Sequence, residues 1–444
     1  MRFCCARRSV SFDADETKTR KSDLTEKCQK GRNGMKALVM AGGLPQIELI
    51  RQLKARGIYT ILADGSANPL AKPYADQTIL IDIFDVEAVK ELAVREKADF
   101  LITVCADQVL LIVAQVSEML GLPCYIDFQT ARLVSNKTKM KEVFARNGIP
   151  TSKYAVSTEF SESLTDGLRF PLVVKPVDAY SSKGVRKVTC MEELKEYYAK
   201  AQEIGRDSKE VIVEEFFRGE EISVDVFVVG GKAKVLSVTN SMKILDDGRF
   251  VIYRGKYPAI ASEQILRKID RVAQQIADAF RITDAPMLIQ MIANENDISV
   301  IEFCARTGGN MKYLLIQHIC GVDVIGAVID LTLGIQPTIR MREPENKYIV
   351  NDFIYCREGV FDRLSGFDEM LQEGYITDYR QIRPRGFVVH GIASSSDRVV
   401  GMTVQADSVE EFNRKHAYAV HHVAVLDPNG EDIMRHDLLP GIEA

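Results

Sequence analysis

The residues able to do chemistry gather between positions 137 and 310. A helical stretch carries Asn136-Lys137-Thr138-Lys139-Met140-Lys141, and Phe170-Pro171-Leu172-Val173-Val174-Lys175-Pro176 reads as a short buried strand. A lysine embedded in an apolar strand, as Lys175 is, needs a counter-charge to offset desolvation. An anionic phosphate is one such partner, and an edge position that snorkels to solvent is the alternative. The small, polar run Asp178-Ala179-Tyr180-Ser181-Ser182-Lys183-Gly184-Val185 can wrap a triphosphate with its N–H groups and hydroxyls, or simply turn the chain. Glu210 to Val226 gives a strand, a turn and a second strand with alternating sides. Met287 to Met291 and Ser299 to Asn310 follow as two strands joined by the polar turn Asn294 to Asp297. In the later strand Glu302, Cys304 and Arg306 fall on one face. That alternation suits an acidic metal ligand beside a cation holding a transferring phosphoryl group, or a surface salt-bridge ladder.

Elements must position these groups. From Lys36 the pattern is strand, helix, strand: Ala37 to Ala41, Gln46 to Arg56, Tyr59 to Ala63, with Gly42, Gly43 and Gly57 as punctuation. A strand at Thr78 to Ile81, a helix from Val86, a strand at Phe100 to Val104 and a helix from Gln108 to Leu120 continue the βαβ rhythm. The expectation is an open, mostly parallel sheet up to about residue 130. The turn Ala41-Gly42-Gly43-Leu44-Pro45 tempts a dinucleotide reading, but the third glycine of that fingerprint is missing. Asp64 could hold a ribose hydroxyl or close a turn. Beyond Pro337, short strands at Asn351 to Tyr355, Gly386 to His390 and Arg398 to Val404, with a helix near Ser408 to Val420, predict a small α+β cap. His416, His421, His422 and His436 invite a metal hypothesis, against which the flanking apolar alternation argues for ordinary packing.

The 444 residues allow about three domains at roughly 150 residues each. With 57 Lys+Arg against 62 Asp+Glu the formal charge is -5, which lacks the broad positive surface of a non-specific nucleic-acid binder. No apolar run reaches the ~18 to 20 residues of a membrane helix, since Asp323 and Asp330 break the stretch Ile319 to Ile335. Nine scattered cysteines without C-x-x-C pairs fit reduced thiols in the cytoplasm. Residues 1–34 hold nine Lys/Arg and five Asp/Glu, and 13–34 are nearly all polar, so a disordered extension is expected there.

The order of Lys137, Lys175 in V-V-K-P, the small-residue loop, E-E-F-F-R-G-E-E-I-S-V-D and finally Q…I-E-F-x-A-R-T-G-G resembles the ATP-grasp superfamily of carboxylate–amine ligases. Within it the likeness is to the branch of carbamoyl-phosphate synthetase large subunits, biotin carboxylase and L-amino-acid ligases, over about residues 36 to 335. The resemblance implies an α/β and α+β architecture: a Rossmann-like, parallel-sheet pre-ATP-grasp domain (35–130), an ATP-grasp domain of two subdomains (131–340) and a small C-terminal α+β domain (341–444). It further implies that Lys137 and Lys175 contact nucleotide phosphates and that the loop Ser181, Ser182, Lys183, Gly184 closes over them. Glu214, Glu215, Phe216 and Phe217 would form the hinge that reads the adenine edge, and Glu221 would hold the ribose. Gln290 and Glu302 match metal ligands, and Arg306 matches the arginine on the acyl-phosphate side, acting with Lys175 in catalysis. The family usually has E-x-N where this chain has Cys304 third, a soft thiol that leaves a second Mg²⁺ site in doubt. The implied activity is an ATP- and Mg²⁺- (or Mn²⁺-) dependent ligase joining small-molecule carboxylate and amine substrates, amino-acid or peptide-like. Nucleic acid and membrane are not expected as partners, and a homodimer is the assembly allowed. The alternatives are a nucleotide-binding protein without ligase activity and a carbamoyl-phosphate- or carboxyphosphate-forming enzyme.

Overall fold

A computed structural model describes residues 34–179, 183–205, 208–244 and 250–443. The disordered extension expected over 1–34 therefore lies outside the described residues but for Gly34, as do Ser181 and Ser182.

The first domain is the expected parallel sheet. Strands β1 (Lys36–Met40), β2 (Tyr59–Asp64), β3 (Gln77–Leu80) and β4 (Phe100–Ile102) pair in the order β3-β2-β1-β4. Helices α1 (Leu44–Ala55) and α2 (Val86–Glu96) connect β1 to β2 and β3 to β4, and α3 (Asp107–Leu120) follows β4. The Gly42 turn is closed from within: the Gly42 N–H donates to Asp64 Oδ2 at 2.7 Å. A Cβ on Gly42 would come within 2.5 Å of Pro69, so packing alone demands glycine, and Asp64 serves as a turn residue.

Two helices, α4 (Phe128–Val134) and α5 (Lys137–Arg146), lead into the central region. Asn136 caps α5 by accepting from the Lys139 N–H at 3.0 Å, which fixes Lys137 in the first turn. Strands β5 (Tyr154–Ser157), β6 (Leu172–Pro176), β7 (Arg186–Val188) and β8 (Val211–Glu215) form a four-stranded antiparallel sheet, with α6 (Met191–Ile204) packed on β6. The chain then crosses into a second, eight-stranded sheet. Its order begins with β13 (Ile298–Cys304), β12 (Ala285–Ala293), β9 (Glu220–Val229), β10 (Lys232–Ile244) and β11 (Val251–Tyr257). Gly219 sits at the crossing with φ +159°, where a Cβ would lie 2.2 Å from the Ala293 carbonyl oxygen. Helix α7 (Glu263–Ala279) covers one face of this sheet with Ile265, Ile269, Val272 and Ile276, spaced to share one side.

The C-terminal strands continue that same sheet: β14 (Tyr348–Ile354) pairs with β11, and Val400–Ala406 and Asp378–Gln381 complete the far edge. Two separate two-stranded sheets, Gly359–Val360 with Val388–Val389 and Arg363–Ser365 with Ala424–Leu426, complete this α+β region. Helices α8 (Lys312–Cys320) and α9 (Val324–Thr332) bend 107° against each other, and α9 packs on α1 through one apolar core containing Leu49, Ile50, Leu53, Ile325, Val328 and Ile329. Among the described residues no single helix is long and apolar enough to cross a membrane. That shared core seats the first domain beside the end of β13.

Candidate active site

Register builds the site. Glu302 pairs with Gln290 and Gln290 with Ser223, so one row crosses β13, β12 and β9. The next row on the same face is Cys304, Leu288 and Asp225. The first row contributes Gln290 and Glu302 to a cleft between the two sheets, lined also by Lys137, Lys175, Phe216 and Lys243. Glu302 is a quarter exposed to it, with its Oε2 3.1 Å from Lys137 Nζ. Gln290 Nε2 donates to Glu221 Oε1 at 3.3 Å, and Glu221 Oε2 lies 2.5 Å from Lys243 Nζ.

Lys175 neither snorkels nor faces an empty wall: it is buried and its Nζ lies 2.5 Å from Glu214 Oε1. Lys141, equally buried, reaches Glu214 Oε2 at 2.7 Å and donates to Thr151 Oγ1 at 2.7 Å. Burial would push the Glu214 carboxyl up, but the two ammonium groups more than offset this and hold it at about 2. Burial dominates for Lys141 and pulls its pKa down. Two lysines on one carboxylate leave an excess positive charge at the cleft wall, the feature an oligophosphate needs. Glu214 and Glu215 close β8, and Phe216 and Phe217 carry the chain from one sheet to the other, the Phe216 N–H donating to the Pro171 carbonyl oxygen at 3.0 Å. Gly184 turns with φ +72° against Pro176, and Lys183 lines the cleft.

At the end of β13 a carboxylate from the first domain takes over. Asp107 accepts from Arg306 Nε at 2.7 Å and from Nη2 at 2.5 Å. Burial favours the neutral Asp107, yet Arg306 holds its pKa below the usual carboxylate range. Burial pushes the neighbouring Cys304 thiol far up. A neutral thiol is neither a nucleophile nor a donor suited to Mg²⁺. Beside it, Lys312 Nζ lies 3.0 Å from Asp225 and donates to Thr239 Oγ1 at 2.8 Å.

Among the described residues no cluster of three His, Cys, Asp or Glu side chains could hold a metal. Gln290 and Glu302 alone supply two hard oxygen donors in adjacent register, which fits a Mg²⁺ ion that takes its remaining ligands from phosphates and water. The histidines go elsewhere. His416 Nε2 lies 2.9 Å from Asp352, which also binds the fully buried Arg254, and His436 pairs with Asp432 at 2.7 Å. Asp107, Lys141, Asp225, Lys243 and Lys312 are the site groups that sequence patterning does not single out. Only Lys141 carries a local signal, one turn beyond Lys137 on α5.

Residues 168–313 match the ATP-grasp domain family. A carbamoyl-phosphate synthase of Methanobrevibacter smithii is 22% identical over 372 residues, covering 82% of this chain and 94% of that protein. The chain spans 52% and 14% of the length of two further curated relatives. An L-amino acid ligase from Bacillus licheniformis superposes with TM-score 0.73 at 19% identity, over 89% of this chain and all of that one. The biotin carboxylase domain of the Hydrogenobacter thermophilus 2-oxoglutarate carboxylase, solved with MgADP and bicarbonate, gives TM-score 0.73 at 17% identity, over 91% and 92% of the two chains.

Proposed function

Since this chain carries an ATP-grasp domain, we propose that it is an ATP- and Mg²⁺-dependent ligase that activates a small-molecule carboxylate as an acyl phosphate for attack by an amine. The observation that carries this reading is the pairing of charges in one cleft, Lys175 on Glu214 and Lys137 on Glu302, with Lys141 buried behind Glu214 and Arg306 held by Asp107 just beyond the end of β13. Lys137 and Lys175 receive the nucleotide phosphates, exchanging part of their carboxylate contacts for phosphate oxygens. Phe216 and Phe217 flank the base, and Glu221 accepts from the ribose hydroxyls once Lys243 yields. Gln290 and Glu302 would hold Mg²⁺, which would supply the positive charge that screens the triphosphate. A carboxylate oxygen of the first substrate attacks the γ-phosphorus and ADP leaves. The amine nitrogen then attacks the carbonyl carbon, forming C–N as C–O breaks, and phosphate departs with the charge stabilised by Arg306. Holding both reactants in one closed cleft supplies much of the acceleration.

All six cysteines among the described residues are free, which supports a reducing, cytoplasmic location. The test is release of phosphate from MgATP by the purified protein, first with hydroxylamine as the amine and a pool of carboxylic and amino acids. Hydroxamate formation identifies the carboxylate. No nucleotide-dependent product with any pool would leave only the nucleotide-binding alternative, for which Cys304 in place of the family's asparagine is the motive.

A further inference from the structure

Three consecutive residues at the end of the catalytic strand are each held by the first domain. The Tyr125 hydroxyl donates to the Ala305 carbonyl oxygen at 3.0 Å. Asp107 grips Arg306 with both carboxylate oxygens, at 2.7 and 2.5 Å. Cys105 Sγ and Thr307 Oγ1 lie 2.9 Å apart. The segment that delivers these contacts is itself constrained, because Cys105 has φ +64°, a conformation a non-glycine residue keeps only when its surroundings fix it. Asp107 opens α3, where the helix dipole favours a carboxylate.

A guanidinium has five N–H donors. Nε and one proton of Nη2 go to Asp107, and one proton of Nη1 goes to the Thr307 carbonyl oxygen at 2.9 Å. One N–H therefore remains on each terminal nitrogen to meet an oxyanion. We propose that Asp107 is a positioning residue: a carboxylate from the first domain that orients Arg306 so that its remaining N–H groups meet the phosphoryl oxygens. The proposal rests on the functional reading above, and it adds a contribution of the first domain to the chemistry beyond its packing.

Orientation and charge predict opposite signs, which makes the proposal testable without the natural substrates. The probe is inorganic phosphate, the shared product, titrated by calorimetry into protein saturated with MgADP. If Asp107 acted only as a negative charge beside the anion site, Asp107→Asn would tighten phosphate. If it orients Arg306, Asp107→Asn weakens phosphate by about tenfold, the scale of one charge-assisted hydrogen bond, while MgADP affinity stays as in the wild type. The same substitution on an Arg306→Ala background should then change nothing further. An equal loss on both backgrounds, or tighter phosphate in the single variant, overturns the positioning role alone. If Asp107→Asn does not fold, Asp107→Glu keeps the charge and displaces the fork by one methylene, and it must weaken phosphate in the same non-additive way. A wild-type MgADP complex that binds no phosphate would sink the functional reading and this inference with it.

Discussion

Replacing Glu214 by glutamine removes the single negative charge that two buried ammonium groups share. The carboxyl is held at about 2 against an ordinary 4.5, and at 1.36 kcal/mol per unit that difference is about 3 kcal/mol. The same figure falls at the lower end of the ~3 to 5 kcal/mol expected for breaking a buried pair by deleting one partner. At ~2 to 4 °C per kcal/mol for a unit of this size, Glu214→Gln should lower the melting temperature by roughly 6 to 12 °C at pH 7. The pH dependence has a fixed sign, because a depressed carboxylate pKa contributes stability above the unfolded value and loses it as pH falls toward the folded one. The gap between wild type and variant should be full above about pH 5 and close as pH drops from about 4.5 toward 2. Calorimetry across that range, with and without MgATP, is the assay. Saturating MgATP should raise the variant's melting temperature more than the wild type's, since the phosphates offer Lys175 a replacement counter-charge. A variant that melts with the wild type at pH 7, or a deficit that MgATP leaves untouched, would refute the view that Glu214 stands where phosphate charge is delivered.

Lys175→Met should lower kcat/KM for MgATP by about a hundredfold or more while the fold persists, because Lys141 still neutralises Glu214 and methionine fills the stem's volume; steady-state kinetics beside a thermal melt checks both halves. Cys304→Asn should leave the Mg²⁺ dependence of turnover unchanged, as the buried side chain does not line the cleft that Gln290 and Glu302 face, and a Mg²⁺ titration showing tighter activation would contradict this. Asp352, held at about 2 by Arg254 and His416 against the opposing effect of burial, should cost about 2 kcal/mol when changed to asparagine, with that contribution lost in the wild type as pH falls from about 4 toward 2. Because Arg254 also donates to the Gly441 carbonyl oxygen, hydrogen exchange near Ile442 should quicken in that variant.

Local signals carry the reading of this chain as far as local physics reaches. Apolar alternation locates β9, β12 and β13, and a period of two places Glu302 and Cys304 on one face. The βαβ rhythm from Lys36 to Leu120 yields the parallel sheet because each strand and helix buries its own stripe of side chains. Counter-charges are another matter. Lys175 announces that it needs one, but nothing in seven residues says whether the partner is a phosphate or Glu214, 39 positions away. Asp107 and Arg306 are separated by 199 positions and Arg254 and Asp352 by 98, and neither acid differs in sequence from an ordinary helix-start or strand residue. The C-terminal strands show the same limit, since alternation fixes which face of a strand is buried but not which ladder it joins.

Those long-range pairs have a common consequence for how the site operates. Each of these cations in and beside the cleft already has a carboxylate partner: Lys175 and Lys141 on Glu214, Lys137 on Glu302, Lys243 on Glu221, Arg306 on Asp107. Desolvation is therefore met by protein groups before a ligand arrives, and an incoming anion must exchange partners instead of filling a bare positive hole. Exchange favours a ligand that satisfies several cations together, as a triphosphate with its metal does, over a monoanion that must displace one carboxylate for every cation it meets. On the proposed reading, selectivity for nucleotide over free phosphate follows from the pairing itself, and it is strongest where one carboxylate serves two lysines, at Glu214.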